Sequence, residues 1–268
     1  MFKRVLTSII MVPLAAVVIY GGLPLRIAVA VFALLGMQEV CRAFSGGNRL
    51  GHAVGYVYAA AYIMFVDAIN GNGIMAVFLL LFTLNLLILP VIFHKSVSVT
   101  ECAYALFAFF YVAMMLSSVY AVRQGNNGTF TVWLIFITAW GCDTGGYITG
   151  YFFGRHKLVP KLSPKKTVEG AVGGIVFSVV MAVIYGVVLG CLGKGFFSIP
   201  VVITIGAVGA VFAQFGDLLA SAIKRYTKIK DFGSILPGHG GIVDRFDSVL
   251  FTAPVVLIAV QLLERLAV

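Results

Sequence analysis

Along most of the chain, long apolar runs are separated by short polar breaks, with little of the alternation that marks a half-buried strand. The runs cover residues 5–20, 25–44, 52–69, 73–93, 101–121, 129–149, 169–192, 198–223 and 247–265, with ends good to about 2–4 residues. Most are about 20 residues long, enough to cross a hydrocarbon core of ~30 Å as helix. Their continuity argues against the lipid-facing strands of a membrane β-barrel. The breaks carry ordinary turn chemistry: Gly21-Gly22, Ser45-Gly46-Gly47-Asn48, Asn70-Gly71-Asn72-Gly73 and Gly125-Asn126-Asn127-Gly128. The pattern predicts an all-α polytopic membrane protein of about nine transmembrane helices. The first run follows Lys3 and Arg4 but lacks a convincing cleavage site, so it is expected to be a retained helix rather than a signal peptide.

Composition agrees. The 268 residues are 61% hydrophobic and 11% charged, with mean hydropathy +1.05, which excludes an ordinary soluble domain. The net charge of +9 has to be read by location. With the N-terminus inside and nine spans, 15 of the 19 Lys and Arg fall on the cytoplasmic side, and only Arg26, Arg123, Lys194 and Arg265 fall outside. The C-terminus then lies on the opposite side. Charge so placed serves topology and anionic lipid or phosphate, and no nucleic-acid partner is expected. Cys41, Cys102, Cys142 and Cys191 have no metal-type spacing and read as free thiols.

This topology puts two large polar loops, 150–168 and 224–246, on the cytoplasmic face. Residues 1–128 are poor in polar features and read as a scaffold with a possible homodimer interface. Residues 129–268 read as the catalytic region.

Five of the ten acidic residues are Asp143, Asp217, Asp231, Asp244 and Asp247, all in the second half. An ionisable side chain within or beside a span is functional by default. In "FGDLLASAIKR", 215–225, Asp217, Ser221 and Lys224 share one helix face. A carboxylate and a hydroxyl one turn apart are oxygen ligands for a hard cation such as Mg²⁺. The plainer reading is an Asp paired with a buried cation. In "HGGIVDRFD", 239–247, His239-Gly240-Gly241 can bring backbone N–H groups close to an anion. Asp244 and Asp247 open the last helix, where capping alone would explain one of them. In "WGCDTGGYITGYFFGRHKLVPKLSPKKTVEG", 140–170, the glycine spacing suits close helix packing, and neither GxxxxGK[ST] nor GxGxxG is present. Arg155, Lys157, Lys161, Lys165 and Lys166 follow, and Thr167 is placed to cap the next helix. Carboxylates, hydroxyls, glycine-rich backbone and cations on one face are the components of phosphoryl or nucleotidyl transfer.

From Ser221 the sequence reads S-A-I-K-R, four residues, then K-D-F-G-S-I-L-P-G-H-G-G-I-V-D-R-F-D. This run resembles the signature of the phosphatidate cytidylyltransferase (CDP-diacylglycerol synthase) family at Ser221, Lys224, Arg225, Lys230, Asp231, Gly233, Pro237, His239, Gly240, Gly241, Asp244, Arg245 and Asp247. "GDLLAS" and "SPKKTVEG" are also similar, extending the likeness to about 140–250. The resemblance implies CTP and phosphatidate as substrates, CDP-diacylglycerol and pyrophosphate as products, and one or two Mg²⁺ ions, with room for a second cation of another type. The candidate catalytic residues are Asp217, Asp244, Asp247, Lys224 and Arg225. Asp217, Asp244, Asp143, Asp247 and Ser221 are the candidate metal ligands. Lys165, Lys166, Lys230, Arg245, His239, Gly240 and Gly241 are the candidate phosphate binders. A bacterial inner membrane with the active site on its cytoplasmic face is the expected location. The alternatives are a CTP-dependent polyprenol or phytol kinase and, in a different class, an ion-coupled secondary transporter using Asp143 and Asp217.

Overall fold

A computed structural model of the protein describes residues 13, 15–45, 50–71, 73–194, 197–234 and 240–266. The first expected helix, 5–20, lies largely outside the described residues, although 15–20 are helical. The other eight expected runs coincide with helical tracts. By length and composition, five tracts among the described residues can cross a membrane: Gly22–Phe44, Met75–Ile92, Val99–Gln124, Val168–Cys191 and Ile199–Tyr226. The chain is an integral membrane protein of the all-α class. Its contacts divide it into two compact units, Met1–Tyr120 with Thr227–Arg245, and Ala121–Tyr226 with Phe246–Val268. By its contacts the segment Thr227–Arg245 groups with the first unit.

The first unit contains α1 (Gly22–Ser45), α2 (Leu50–Met64), α3 (Val66–Gly71), α4 (Met75–Ile92) and α5 (Val99–Ala108). A π-helical stretch, Phe109–Met114, joins α5 to α6 (Met115–Gln124), so the tract stays helical throughout. Ser98 caps α5, accepting the Glu101 N–H at 3.2 Å. Met37, Ile63, Phe82 and Phe109 fill the core, with the Phe82 and Phe109 rings 4.7 Å apart. The outward apolar surface of α4, including Leu80, Leu84 and Leu87, is what a lipid-facing helix presents. The Arg26 guanidinium meets the Asp67 carboxylate and the Tyr120 hydroxyl, so this cation is neutralised inside the unit.

In the second unit, α7 (Gly128–Phe153) packs along α8 (Val168–Cys191), and α9 (Ile199–Tyr226) packs on both. α10 (Val243–Leu266) enters this unit from Phe246 onward. The α7–α8 seam is lined with glycine. A Cβ on Gly170 would lie 2.9 Å from the Gly146 carbonyl oxygen and 3.2 Å from Gly150 Cα. The glycine spacing therefore serves helix packing, as the sequence predicts. Ser178 ties three helices, donating to the carbonyls of Thr138 on α7 and Gly206 on α9, each at 3.2 Å. α9 and α10 are in close contact at Gly216, where a side chain would run into the Asp247 carbonyl and come within 3.1 Å of Phe251. Gly216→Ala is expected to destabilise the protein by about 1–3 kcal/mol through overpacking, read as a lower Tm of the purified protein in detergent.

The polar loop after α7 holds a feature the sequence did not predict. Strands β1 (Lys157–Val159) and β2 (Ser163–Thr167) form an antiparallel hairpin, pairing Lys157 with Thr167 and Val159 with Ser163 across an irregular register. Three and five residues are too few for an alternating pattern to emerge, and the lysines and prolines here read only as loop.

Candidate active site

The hairpin is fixed at both ends by α8. Thr167 caps that helix, accepting the Gly170 N–H at 3.1 Å, as its position predicts. Glu169, in the first turn, accepts the backbone N–H groups of Arg155 (3.1 Å) and His156 (3.2 Å) and lies 2.6 Å from His156 Nδ1. At the hairpin turn, Arg225 Nε donates to the Leu162 carbonyl at 3.3 Å. Arg225, a candidate catalytic cation, thus uses one donor to hold the hairpin.

So anchored, the hairpin presents lysines to a cavity of about 530 Å³. Asp143, Gly146, Tyr147, Gly150 and Tyr151 of α7 form one wall, and Gln214 and Asp217 of α9 another. Lys157, Lys165 and Lys166 line the hairpin side. The Lys166 ammonium lies 2.5 Å from Asp217 Oδ2, with the two side chains 25% and 29% exposed, so the pair is partly shielded from water. Gln214 donates to the Ala171 carbonyl at 3.0 Å, fixing α9 beside the start of α8.

Asp143, from α7, is held by α10. Ser248 Oγ donates to its two carboxylate oxygens at 3.0 and 3.2 Å. The neighbouring Asp247 accepts the Ser248 N–H at 2.8 Å. Asp143, Asp217 and Asp247 are close enough to repel one another, with Lys166 acting on Asp143 and Lys224 on Asp247 as countercharges. Three helices and the hairpin therefore bring three carboxylates, a hydroxyl and two ammonium groups into one region. Ser221 stands one turn above Asp217 on α9, half-buried. These oxygen donors, with their acidic excess, fit a hard divalent cation in chemistry. Among the described residues, however, no three His, Cys, Asp or Glu side chains are drawn together around one point, and the ammonium of Lys166 is the cation that Asp217 meets.

The rest of the signature folds in the other unit. Asp244 Oδ2 accepts the N–H groups of Phe232 (2.8 Å) and Gly241 (3.0 Å), closing the loop on itself. Gly240 has φ +83°, a left-handed conformation that glycine adopts without strain, and a Cβ there would lie 2.8 Å from Asp244 Oδ2. The glycine-rich backbone is expected to bring N–H groups to an anion; in the structure the Gly241 N–H meets Asp244, and the Glu39 carboxylate is met by the next two residues, at the start of α10. Glu39 Oε1 accepts the Ile242 N–H at 2.9 Å and its Oε2 the Val243 N–H at 3.0 Å. Lys230, Asp231 and Arg245 are exposed, and His239 and Pro237 lie outside the described residues.

Sequence reasoning missed Glu39, Ser248 and Glu169. Glu39 gave the same signal that singled out Asp217, an acid within an apolar run. Ser248 gave none, because serine is common in membrane helices, and its partner is 105 residues away.

The chain matches the Cytidylyltransferase family over residues 2–263. It is 31% identical over 261 residues to a phosphatidate cytidylyltransferase of Staphylococcus aureus (strain COL), covering 94% of this chain and 95% of that protein. Phosphatidate cytidylyltransferases of Staphylococcus haemolyticus (strain JCSC1435) and Staphylococcus epidermidis (strain ATCC 12228) are likewise 31% identical at the same coverage. The chain belongs to the cytidylyltransferase family. It is therefore an enzyme, a nucleotidyltransferase of phospholipid biosynthesis embedded in the membrane. The similarity takes in the first half as well as the signature, including the helix that supplies Glu39.

Proposed function

We propose that this cytidylyltransferase joins CTP to phosphatidate, giving CDP-diacylglycerol and pyrophosphate. The observation that carries this reading is the likeness, over 94% of the chain, to proteins named for that reaction. The cavity beside Asp143 and Asp217, with its three lysines, supplies a matching chemistry. A phosphate oxygen of phosphatidate attacks the α-phosphorus of CTP. A new P–O bond forms as the bond to the departing pyrophosphate breaks, in line with it. The monoester phosphate is largely ionised near neutral pH, so no general base is required. Lys157, Lys165 and Lys166 bind phosphate oxygens and orient the polyphosphate. Lys224, on α9, counters charge near Asp247, and Lys230 and Arg245, on the exposed signature loop, bind further phosphate oxygens. Asp143, Asp217 and Asp247, with Ser221 nearby, are the groups that would hold magnesium, which when bound neutralises developing phosphate charge. Asp244 closes the signature loop.

The enzyme works in a bacterial inner membrane, with nine spans, the N-terminus and active site on the cytoplasmic side, and two copies forming a homodimer. The test is pyrophosphate release by purified protein given CTP, magnesium and phosphatidate, with polyprenol and phytol as competing acceptors. Product from phosphatidate alone is expected. Phosphorylation of the alcohols would favour the lipid-kinase reading, and no turnover with substrate uptake in proteoliposomes would favour a transporter. For topology, a single cysteine at Ser234, in a background without the four native cysteines, is expected to react with a membrane-impermeant thiol reagent only from the cytoplasmic side. Labelling from outside would overturn the proposed orientation.

A further inference from the structure

Glu39, on α1 between Gln38 and Val40 and about one turn before Arg42, is 5% exposed. A buried carboxylate there is costly unless its oxygens are satisfied. The groups that satisfy it come from 203 and 204 residues further along the chain, the N–H groups of Ile242 and Val243 at the start of α10. A helix start presents unpaired N–H donors and a partial positive charge, and it is stabilised by an anion. Here the anion comes from a distant helix. The surroundings are built for this contact. A Cβ on Gly233 or Gly241 would collide with the Glu39 side chain, and one on Gly36, one turn earlier on α1, would lie 3.4 Å from Val243. Two glycines of the signature loop are therefore small where Glu39 reaches them.

We propose that Glu39 is a positioning residue for cytidylyl transfer, setting the signature loop and the first turn of α10 in their working place. Two carboxylates hold this segment in the structure: Asp244, from within it, binds the N–H groups of Phe232 and Gly241, and Glu39, from outside it, binds those of Ile242 and Val243. The local contact closes the loop on itself and leaves its place undetermined. The Glu39 contact fixes the loop against α1. Lys230, Asp231, Asp244 and Arg245 all lie on this segment, and Asp247 follows one turn along α10. Displacement of about 1 Å at groups that orient phosphates costs up to ~10²-fold in rate.

The inference rests on the reaction proposed above, so its test has one arm with turnover and one without. In Glu39→Gln, whose amide nitrogen faces an N–H donor, kcat for pyrophosphate release is expected to fall by about 10–100-fold, with KM for CTP within about twofold of wild type. Amide hydrogen exchange at 240–245 is expected to quicken while that of α1 and α9 is unchanged. Glu39→Asp, which keeps the charge but shortens the reach, is expected to fall between wild type and Glu39→Gln. Gly241→Ala should also lose turnover, and Glu39→Asp combined with it should recover part of that loss by making room. If a merely stabilising role were correct, the folded variants would keep kcat and show only a lower Tm, which would overturn the proposal. Unchanged exchange at 240–245 would also overturn it. If Glu39→Gln does not fold, the Asp and Gly241 variants carry the test. If wild type itself shows no cytidylyl transfer, the functional reading fails and the exchange arm still decides whether Glu39 holds the loop.

Discussion

Turnover of CTP with phosphatidate is expected to fall by about 10²–10³-fold in Asp217→Asn, the scale of losing one preorganised charged group at a reacting phosphate. Asp217 lines the cavity and pairs with Lys166 at 2.5 Å. The Asn side chain has nearly the same shape, so the packing of α9 is preserved, and Gly216 beside it still admits the α10 backbone. What changes is charge: the lysines around the cavity lose an anion that fixes Lys166, and the acidic set loses one of three carboxylates. Steady-state pyrophosphate release across magnesium concentrations is the measurement, with Tm as the check on folding. A folded Asp217→Asn protein that turns over within a few-fold of wild type would remove Asp217 from the catalytic set.

The second large effect is expected at Lys166. Lys166→Met keeps the apolar stem but leaves the Asp217 carboxylate without the ammonium it meets in the structure. A fall of about 10²-fold in kcat/KM is expected if Lys166 orients a substrate phosphate in the transition state. Lys166→Arg is expected to retain part of the rate, since charge is kept while the point-like ammonium is replaced by a planar fork. Lys165→Met is the control. Lys165 lines the same cavity but is exposed and has no ion pair among the described residues, so a smaller effect is expected. Equal losses at Lys165 and Lys166 would show that the cavity uses general positive charge and would discount the Lys166–Asp217 pair.

The helical tracts were legible because they are local. A run such as Met75–Ile92 declares itself by composition alone, and the glycine pairs that end runs do so by backbone preference. Thr167 as a cap was legible for the same reason, since a cap is a contact over three residues. The hairpin at 157–167 was not, because strands this short are stabilised by what clamps them, here Glu169 and Arg225, and not by an alternating pattern of their own.

The sequence by itself determined a helical membrane protein, the use of glycine in helix packing, and a charged signature whose pattern points to one family. Tertiary structure alone decided the partners. It joined Asp143 to Ser248, paired Lys166 with Asp217, grouped the loop 227–245 with the first unit, and gave the N–H groups of Ile242 and Val243 the Glu39 carboxylate as their anion. The physical reason is range. Hydrophobic periodicity and backbone preference act over a few residues and are written in neighbouring letters. An ion pair or a remote cap joins groups up to 204 residues apart, and nothing in either neighbourhood names the other until the helices have packed.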